Sequence, residues 1–415
     1  MNQKAFLVGA DLGNLSGANF SDHMQELELL SKTAGYDIVK VLSQKVSKIN
    51  SSLYLGSGKV DEILNLAKYH NVKYLIFDNE LTPAQSKNIN KKYKKITVID
   101  RADLILQIFM KHAKTRESKV QVELAQLQYL LPRLTRAWTH LERQMGGIGS
   151  RAGAGETQIE VDRRLLRDRI SKLRNELTKI EKNRITRTKK RVNSYKVALV
   201  GYTNAGKSTL MKSISGADVL IKDQLFATLD TTVRSVNLDK YNTILLSDTV
   251  GFVRKLPHHL VASFKSTLNE VVDADLILIV LDSSSDQVIE HYKVIKEVLN
   301  NLNANTSDYI VVLNKIDQIE NHKKIQKLNF EFPNAIFISA LNSLRIEELK
   351  LKIVEFMEKN YKTVNLKLPY SNSKNISLIQ NSTFVISRKY KDEYLHIKAK
   401  GPIGKIDSLL KLLSK

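Results

Sequence analysis

Gly201-Tyr202-Thr203-Asn204-Ala205-Gly206-Lys207-Ser208 has the G-x-x-x-x-G-K-S spacing of a phosphate-binding loop. It follows the apolar run Val197–Val200 and opens a helix-like segment, the strand–loop–helix context that such a loop requires. Glycines allow backbone conformations barred to other residues and let N–H groups approach phosphate oxygens. The helix N-terminus adds partial positive charge. In this setting Lys207 is expected to bridge the β- and γ-phosphates of a nucleotide, and Ser208 to offer its hydroxyl to Mg²⁺.

Three further motifs follow in order. Asp248-Thr249-Val250-Gly251 succeeds the apolar run Ile244–Leu246. A carboxylate at that strand end can hold Mg²⁺ through water, and the Gly251 N–H is available to a γ-phosphate. Asn314-Lys315-Ile316-Asp317 ends the run Ile310–Leu313. Guanine presents N1–H and N2–H₂ as adjacent donors, and Asp317 can accept both. Adenine lacks that pair, so the carboxylate would stay unpaired and the wrong base would be rejected. Asn314 is expected to brace the loops, the Lys315 stem to cover the base plane, and Ser339-Ala340-Leu341 to bring a backbone N–H to guanine O6. Between the first two motifs lies Phe226-Ala227-Thr228-Leu229-Asp230-Thr231-Thr232, where a threonine should complete the Mg²⁺ shell. On chemistry alone Thr228, Thr231 and Thr232 compete. The position after Asp248–Gly251, where a water-orienting Gln stands in Ras-type GTPases, is Phe252. Phe cannot hydrogen-bond water, so intrinsic GTP turnover is expected to be slow.

Around these motifs, short continuous apolar runs alternate with helical patterns from Lys196 to about Tyr361. They are Val197–Val200, Ile244–Leu246, Leu276–Leu281, Ile310–Leu313 and Ala335–Ile338. This indicates a buried, mostly parallel sheet flanked by helices. Residues 1–118 read as a small α/β domain, with strands at Ala5–Gly9, Tyr74–Asp78 and Ile96–Asp100 and helices at Met24–Thr33 and Val60–Lys68. Within it Gly56-Ser57-Gly58-Lys59 imitates a phosphate loop, but Leu53 and Val60 stand where Gly and Ser/Thr are needed; a turn opening a helix is the better reading. Residues 119–194 carry two heptad-type seams. One is Leu124, Leu127, Leu131, Leu134, Trp138 and Leu141; the other is Leu166, Ile170, Leu173, Leu177 and Ile180. Pro132 should kink the first helix. The segment Gly146–Gly155 would be a Gly-rich tip joining a helical hairpin. Residues 195–361 form the nucleotide-binding domain, and 362–415 a small α+β tail with strand Val364–Leu368 and a last helix Ile406–Leu413.

Over 415 residues the chain has 65 Lys and Arg against 43 Asp and Glu, a formal charge of +22, and no cysteine. A disulfide framework and thiolate metal sites are thereby excluded. The longest apolar run is far below the roughly 20 residues of a membrane span, and no signal peptide is evident, so a cytoplasmic location without membrane insertion is expected. A basic surface attracts polyanions. Codon bias toward Lys and Asn accounts for part of the excess. It does not account for Arg163, Arg164, Arg167, Arg169, Arg174, Arg184, Arg187 and Arg191, which with Lys172, Lys189 and Lys190 point to an RNA-facing surface on the second hairpin helix and its exit.

Beyond these motifs the chain resembles the HflX family of ribosome-associated P-loop GTPases over almost its whole length. The strings that carry the resemblance are Glu80-Leu81-Thr82-Pro83-Ala84-Gln85, Asp100-Arg101-Ala102-Asp103-Leu104-Ile105-Leu106, Val122-Glu123-Leu124-Ala125-Gln126-Leu127, Gly146-Gly147-Ile148-Gly149, Gly155-Glu156-Thr157-Gln158, Asp162-Arg163-Arg164-Leu165 and Leu366-Lys367-Leu368-Pro369-Tyr370. The resemblance implies that Thr228, within F-A-T-L-D, is the Mg²⁺-binding threonine, and that a hydrophobic residue at 252 is normal. It implies a partner of the large ribosomal subunit, which some members split from the small one, with the hairpin tip reaching rRNA; a monomer is the default expectation. The tip departs from the family's R-G-P-G-E: Arg151-Ala152-Gly153-Ala154-Gly155-Glu156 has no Pro and one residue more.

The candidate GTP-binding set is therefore Gly201 to Ser208, Phe226 to Asp230, Asp248 to Gly251, Asn314 to Asp317 and Ser339 to Leu341. Lys207, Thr228 and Gly251 are the candidate catalytic groups. Ser208, Thr228 and Asp248 are the candidate Mg²⁺ ligands, Asp248 through water. Two other roles fit the composition: a factor in large-subunit assembly, and a nucleotide-switched module on anionic membranes.

Overall fold

A computed structural model of the protein describes all residues except 1–2, 14–16, 94, 135–157, 189–193, 217–224, 227–228, 256–269, 303, 305–307, 360, 392 and 414–415. Expectations for Trp138, Leu141, the tip at 146–156, Ala227 and Thr228 lie outside the described residues. So do those for Lys189, Lys190, Arg191 and the side chains of Arg184 and Arg187. The chain divides into two compact units. One holds 1–183 together with 223–230 and 253–266; the other holds 184–222, 231–252 and 267–415.

The first unit is built on four parallel strands, β1 (Gln3–Asp11), β2 (Tyr36–Lys45), β3 (Tyr74–Phe77) and β4 (Thr97–Ile99), in the order β2-β1-β3-β4. Ala5, Phe6, Leu7 and Val8 are fully buried, because β1 is covered on both faces. Helices α1 (Gly17–Ala34), α2 (Ser57–Tyr69), α3 (Pro83–Lys92) and α4 (Arg101–His112) connect and follow the strands. Gly56 is the N-cap of α2, so Gly56–Lys59 opens a helix as its spacing suggested. The start of α3 is fixed by a capping box between Thr82 and Gln85, with Pro83 in the first turn.

The hairpin seams do meet. Helix α5 runs over Arg116–Leu130 and α6 over Gln158–Thr188. Val120, Leu124, Leu127 and Leu134 pack with Leu166, Ile170 and Leu173 in one buried cluster. Pro132 does not kink a continuing helix. Helix α5 ends at Leu130, and a single 3-10 turn, Leu131–Arg133, takes its place, since Pro lacks the N–H that a further α-turn needs. The outer side of α6 exposes Arg163, Arg164, Arg167, Arg169 and Arg174, with Arg169 paired to Glu123.

The second unit contains a six-stranded sheet of order β10-β9-β8-β5-β7-β6. Its strands are β5 (Tyr195–Gly201), β6 (Thr232–Asn237), β7 (Thr243–Asp248), β8 (Leu276–Asp282), β9 (Tyr309–Asn314) and β10 (Ile336–Phe337). All neighbours are parallel except the β6–β7 pair. Val197–Val200 and Leu276–Leu281 are fully buried at its centre. The helices are α7 (Lys207–Ser215), α8 (Val288–Asn301), α9 (His322–Glu331) and α10 (Ile346–Glu358). This is the P-loop GTPase fold expected from the sequence. A three-stranded antiparallel sheet follows, formed by β11 (Tyr361–Pro369), β12 (Phe384–Lys391) and β13 (Tyr394–Pro402) in the order β11-β13-β12. Helices α11 (Ser373–Ser382) and α12 (Ile403–Leu413) cover one face of it, through Ile379 and Leu409 against Leu368, Leu395, Ile397 and Ala399.

Candidate nucleotide-binding site

The carboxyl ends of β5, β7 and β9 bring three motifs together, as an open α/β sheet does at its ligand crevice. Gly201 ends β5. A Cβ there would lie 2.3 Å from the Val280 carbonyl oxygen, so only Gly lets β5 and β8 approach. The loop 202–206 turns onto α7, whose N-cap is Gly206 with φ +92°. A Cβ on Gly206 would meet the Asn314 amide nitrogen at 2.2 Å. Both glycines of the spacing therefore answer to steric contact within the protein itself.

Lys207 is buried, and its Nζ donates to the Gly201 and Tyr202 carbonyls at 3.1 and 2.9 Å. Burial holds its pKa down to about 8, against an opposing pull from the Asp248 carboxylate. The ammonium thus occupies the cradle in which phosphate oxygens would replace two carbonyls. Ser208 Oγ donates to Asp248 Oδ2 at 2.6 Å. This pair joins the start of α7 to the end of β7, and both donors are hard oxygens of the kind Mg²⁺ takes alongside water and phosphate. Among the described residues no cluster of three or more His, Cys, Asp or Glu could hold a metal. The donor set fits a magnesium ion completed by nucleotide and water.

Past Asp248, Thr249 anchors its hydroxyl on the Leu199 carbonyl at 2.7 Å, and Val250 is buried. Gly251 lies against the phosphate loop: a Cβ would fall 2.8 Å from Thr203 Cα and 3.0 Å from Lys207 Nζ. Phe252 is buried, and its backbone zips to that loop, with its N–H on the Gly201 carbonyl at 3.0 Å and its carbonyl accepting from Thr203 N–H at 2.8 Å. A hydrophobic residue here serves packing and loop pairing.

Asn314 ties two loops together. Its Nδ2 donates to the Ala205 carbonyl and its Oδ1 accepts from the Ala340 N–H, each at 2.9 Å. Lys315 has φ +65° and pairs with Asp282 at 2.7 Å. Ile316–Gln318 form a 3-10 turn that presents Asp317 to solvent. Ser339 is buried with its N–H on the Leu344 carbonyl, and Leu341 is exposed. The Tyr202 ring stacks on His291 of α8, at 4.0 Å between centroids and 15° between planes, a contact with no signal in residue spacing.

The segments 223–230 and 253–266 belong to the first unit. Phe226, at φ +56°, is buried edge-on against Phe109 of α4, with ring centroids 4.7 Å apart, and Leu229 is buried. Asp230 accepts from Thr115 Oγ1 at 2.6 Å and from the N–H groups of Lys114 and Thr115 at 3.2 and 3.3 Å, at the N-terminus of α5. Arg101 is 2% exposed and holds Glu26 and Asp78, while its Nε donates to the Arg254 carbonyl at 3.2 Å. Lys255 also pairs with Asp78. His23 lies in this cluster, and burial, helped by Lys255, lowers its pKa to about 4. A buried arginine is costly unless paired, and Asp78 supplies one partner from the end of β3. Pairing of this kind leaves no periodic trace in sequence.

Three family models match in succession. One described as GTP-binding GTPase N-terminal covers 21–110, one described as GTP-binding GTPase Middle Region covers 112–191, and one described as 50S ribosome-binding GTPase covers 196–315. Among similar proteins, GTPase HflX of Flavobacterium psychrophilum is 43% identical over 390 residues, which is 89% of this chain and 93% of that protein. GTPase HflX of Caldanaerobacter subterraneus subsp. tengcongensis is 39% identical, over 96% of this chain and 90% of its own. GTPase HflX of Escherichia coli K12 is 42% identical, over 84% and 82%.

Proposed function

This chain belongs to the GTPase HflX family and is a GTP hydrolase, and from that premise we propose that it hydrolyses GTP on the large ribosomal subunit and couples the cycle to ribosome splitting or rescue. The observation that carries the reading is the match of 196–315 to a 50S ribosome-binding GTPase model. The exposed arginines of α6 support it.

In this reading Lys207 leaves the Gly201 and Tyr202 carbonyls for the β- and γ-phosphates. Ser208 and Thr228 would hold Mg²⁺ directly and Asp248 through water, and the ion would supply charge neutralisation to the nucleotide phosphates. Gly251 turns its N–H to the γ-phosphate. Asp317 accepts from guanine N1–H and N2–H₂. The Ser339–Leu341 segment, tied to Asn314 through the Ala340 N–H, brings a backbone N–H to guanine O6. No side chain at 252 orients the attacking water, so the ribosome supplies that function, and the protein turns over slowly alone. In domain terms, 1–118 form the N-terminal α/β domain, the hairpin 119–194 presents RNA contacts, 195–361 hold nucleotide, and 362–415 form the tail.

The test is GTP turnover with and without purified large subunits at two salt concentrations, alongside light scattering from whole ribosomes. Stimulation that weakens with salt, together with a fall in scattering, is expected. A rate indifferent to large subunits at both salts would defeat the reading. Stimulation without a fall in scattering would favour a role in subunit assembly over splitting.

A further inference from the structure

Residues 361–415 lie beyond the three matched stretches. They carry 11 Lys and Arg against 3 Asp and Glu, so 55 of 415 residues hold +8 of the chain's +22. The three-stranded sheet buries Leu395, Ile397 and Ala399 of β13 under its helices, so the alternate residues Tyr394, His396 and Lys398 stand on the other face. Strand register completes that face. Lys367 of β11 and Lys389 of β12 flank His396, Lys391 lies beside Tyr394, and all of these are exposed.

The arrangement is unfavourable in isolation. Like charges on neighbouring strands repel, and among the described residues Lys389, Lys391 and Lys398 form no ion pair. A polyanion would relieve this. Its class is narrowed by Tyr394, a residue 37% exposed whose ring carries Lys367 at 4.1 Å from its centroid. An aromatic ring on a flat basic sheet offers a stacking surface for a base between phosphate contacts. Asn365 and Ser387, exposed in register with Lys398, add hydrogen-bonding groups. Anionic membranes are instead met by amphipathic helices that insert apolar side chains, and this face is built of strands.

We propose that the open face of the β11–β13–β12 sheet binds single-stranded RNA, with Lys389, Lys391 and Lys398 on phosphates and Tyr394 stacked on a base. The choice of RNA over DNA rests on the ribosome reading; the surface itself does not.

The test is fluorescence anisotropy of the full-length protein with a labelled 12-nucleotide single-stranded RNA. Lys389→Glu/Lys398→Glu is expected to weaken binding at least 10-fold and to reduce the slope of log K against log salt by roughly 1.4. Tyr394→Ala is expected to weaken it roughly 5-fold or more. GTP binding should be unchanged in both variants, which reports that they fold. Arg167→Glu/Arg174→Glu on α6 should leave the stacking effect of Tyr394 intact. The proposal is overturned if the wild type does not bind the RNA, or if the sheet variants bind it as the wild type does. It is also overturned if those variants lose binding to phosphatidylserine vesicles while keeping RNA. In the wild type, oligonucleotide binding without large-subunit stimulation would remove the ribosome reading alone, and stimulation without oligonucleotide binding would remove this proposal alone.

Discussion

The amide nitrogen of Asn314 lies 2.9 Å from the Ala205 carbonyl oxygen, so the motif proposed to select the base also holds the loop proposed to cradle phosphate. Asn314→Asp keeps an acceptor for the Ala340 N–H but sets a carboxylate oxygen against the Ala205 carbonyl. Guanine-nucleotide affinity is expected to fall by roughly 100-fold, with about 1–3 kcal/mol lost from stability. Titration with a fluorescent GDP and urea denaturation of the nucleotide-free protein measure the two effects.

Lys207 makes the empty protein sensitive to pH. Its folded pKa is about 8 and its ordinary value 10.5. Between those values the unfolded chain binds more protons than the folded one, so this group's contribution to stability rises with pH across that window. Below pH 8 the buried charge opposes folding. Nucleotide-free Lys207→Met should lack this rise, so the stability difference should shift toward the wild type from pH 8 to 10. Denaturation at pH 7.5, 8.5 and 9.5 reads it; parallel curves for the two proteins would refute it. The same variant should lose GTP affinity by at least roughly 100-fold.

Asp317 offers a carboxylate to solvent at the end of the Asn314–Asp317 motif. Asp317→Asn replaces a double acceptor with one acceptor and one donor. GTP binding should weaken by roughly 100-fold or more, while xanthosine triphosphate, with a carbonyl in place of the guanine amino group, should bind the variant better than GTP. Competition between the two nucleotides decides it, and retained GTP preference would remove Asp317 from the base site.

Arg101→Met would leave the buried Asp78 and Glu26 without their shared partner. Removing one member of a buried ion cluster costs about 3–5 kcal/mol, and Arg101→Met/Asp78→Asn should recover part of it. Urea denaturation of the single and double variants gives the coupling.

The candidate site was legible because the chemistry proposed for it fixes spacing along the chain: a phosphate-binding role would need Gly201, Gly206, Lys207 and Ser208 within one turn, and Asp248 and Asn314 end buried strands. The central strands were legible for the same reason, since Leu276–Leu281 is continuously apolar. Strand β2 was not. It lies at a sheet edge with Val39 and Val41 exposed, so polar residues interrupt its pattern. The termination of α5 ahead of Pro132 was hidden because the apolar seam continues to Leu134 across the 3-10 turn. The strings Glu80–Gln85 and Asp100–Leu106 stood out as signatures, but only the fold gives their reason. Asp100 caps α4 and accepts from the Leu81 N–H, and Arg133 bonds the Leu81 carbonyl and rests on the Tyr129 ring.

The two short excursions, 223–230 and 253–266, make the chain inseparable by a single cut. A protein beginning at Tyr195 would keep Phe226 and Leu229 but lose Phe109, and its Asp230 would have no Thr115 to accept from. A protein ending at Asn183 would keep Arg101 but lose the Arg254 carbonyl and the Lys255 ammonium that share its ion cluster. Linear dissection of this molecule therefore wounds both products, and the activity of either half describes a damaged surface as much as a domain.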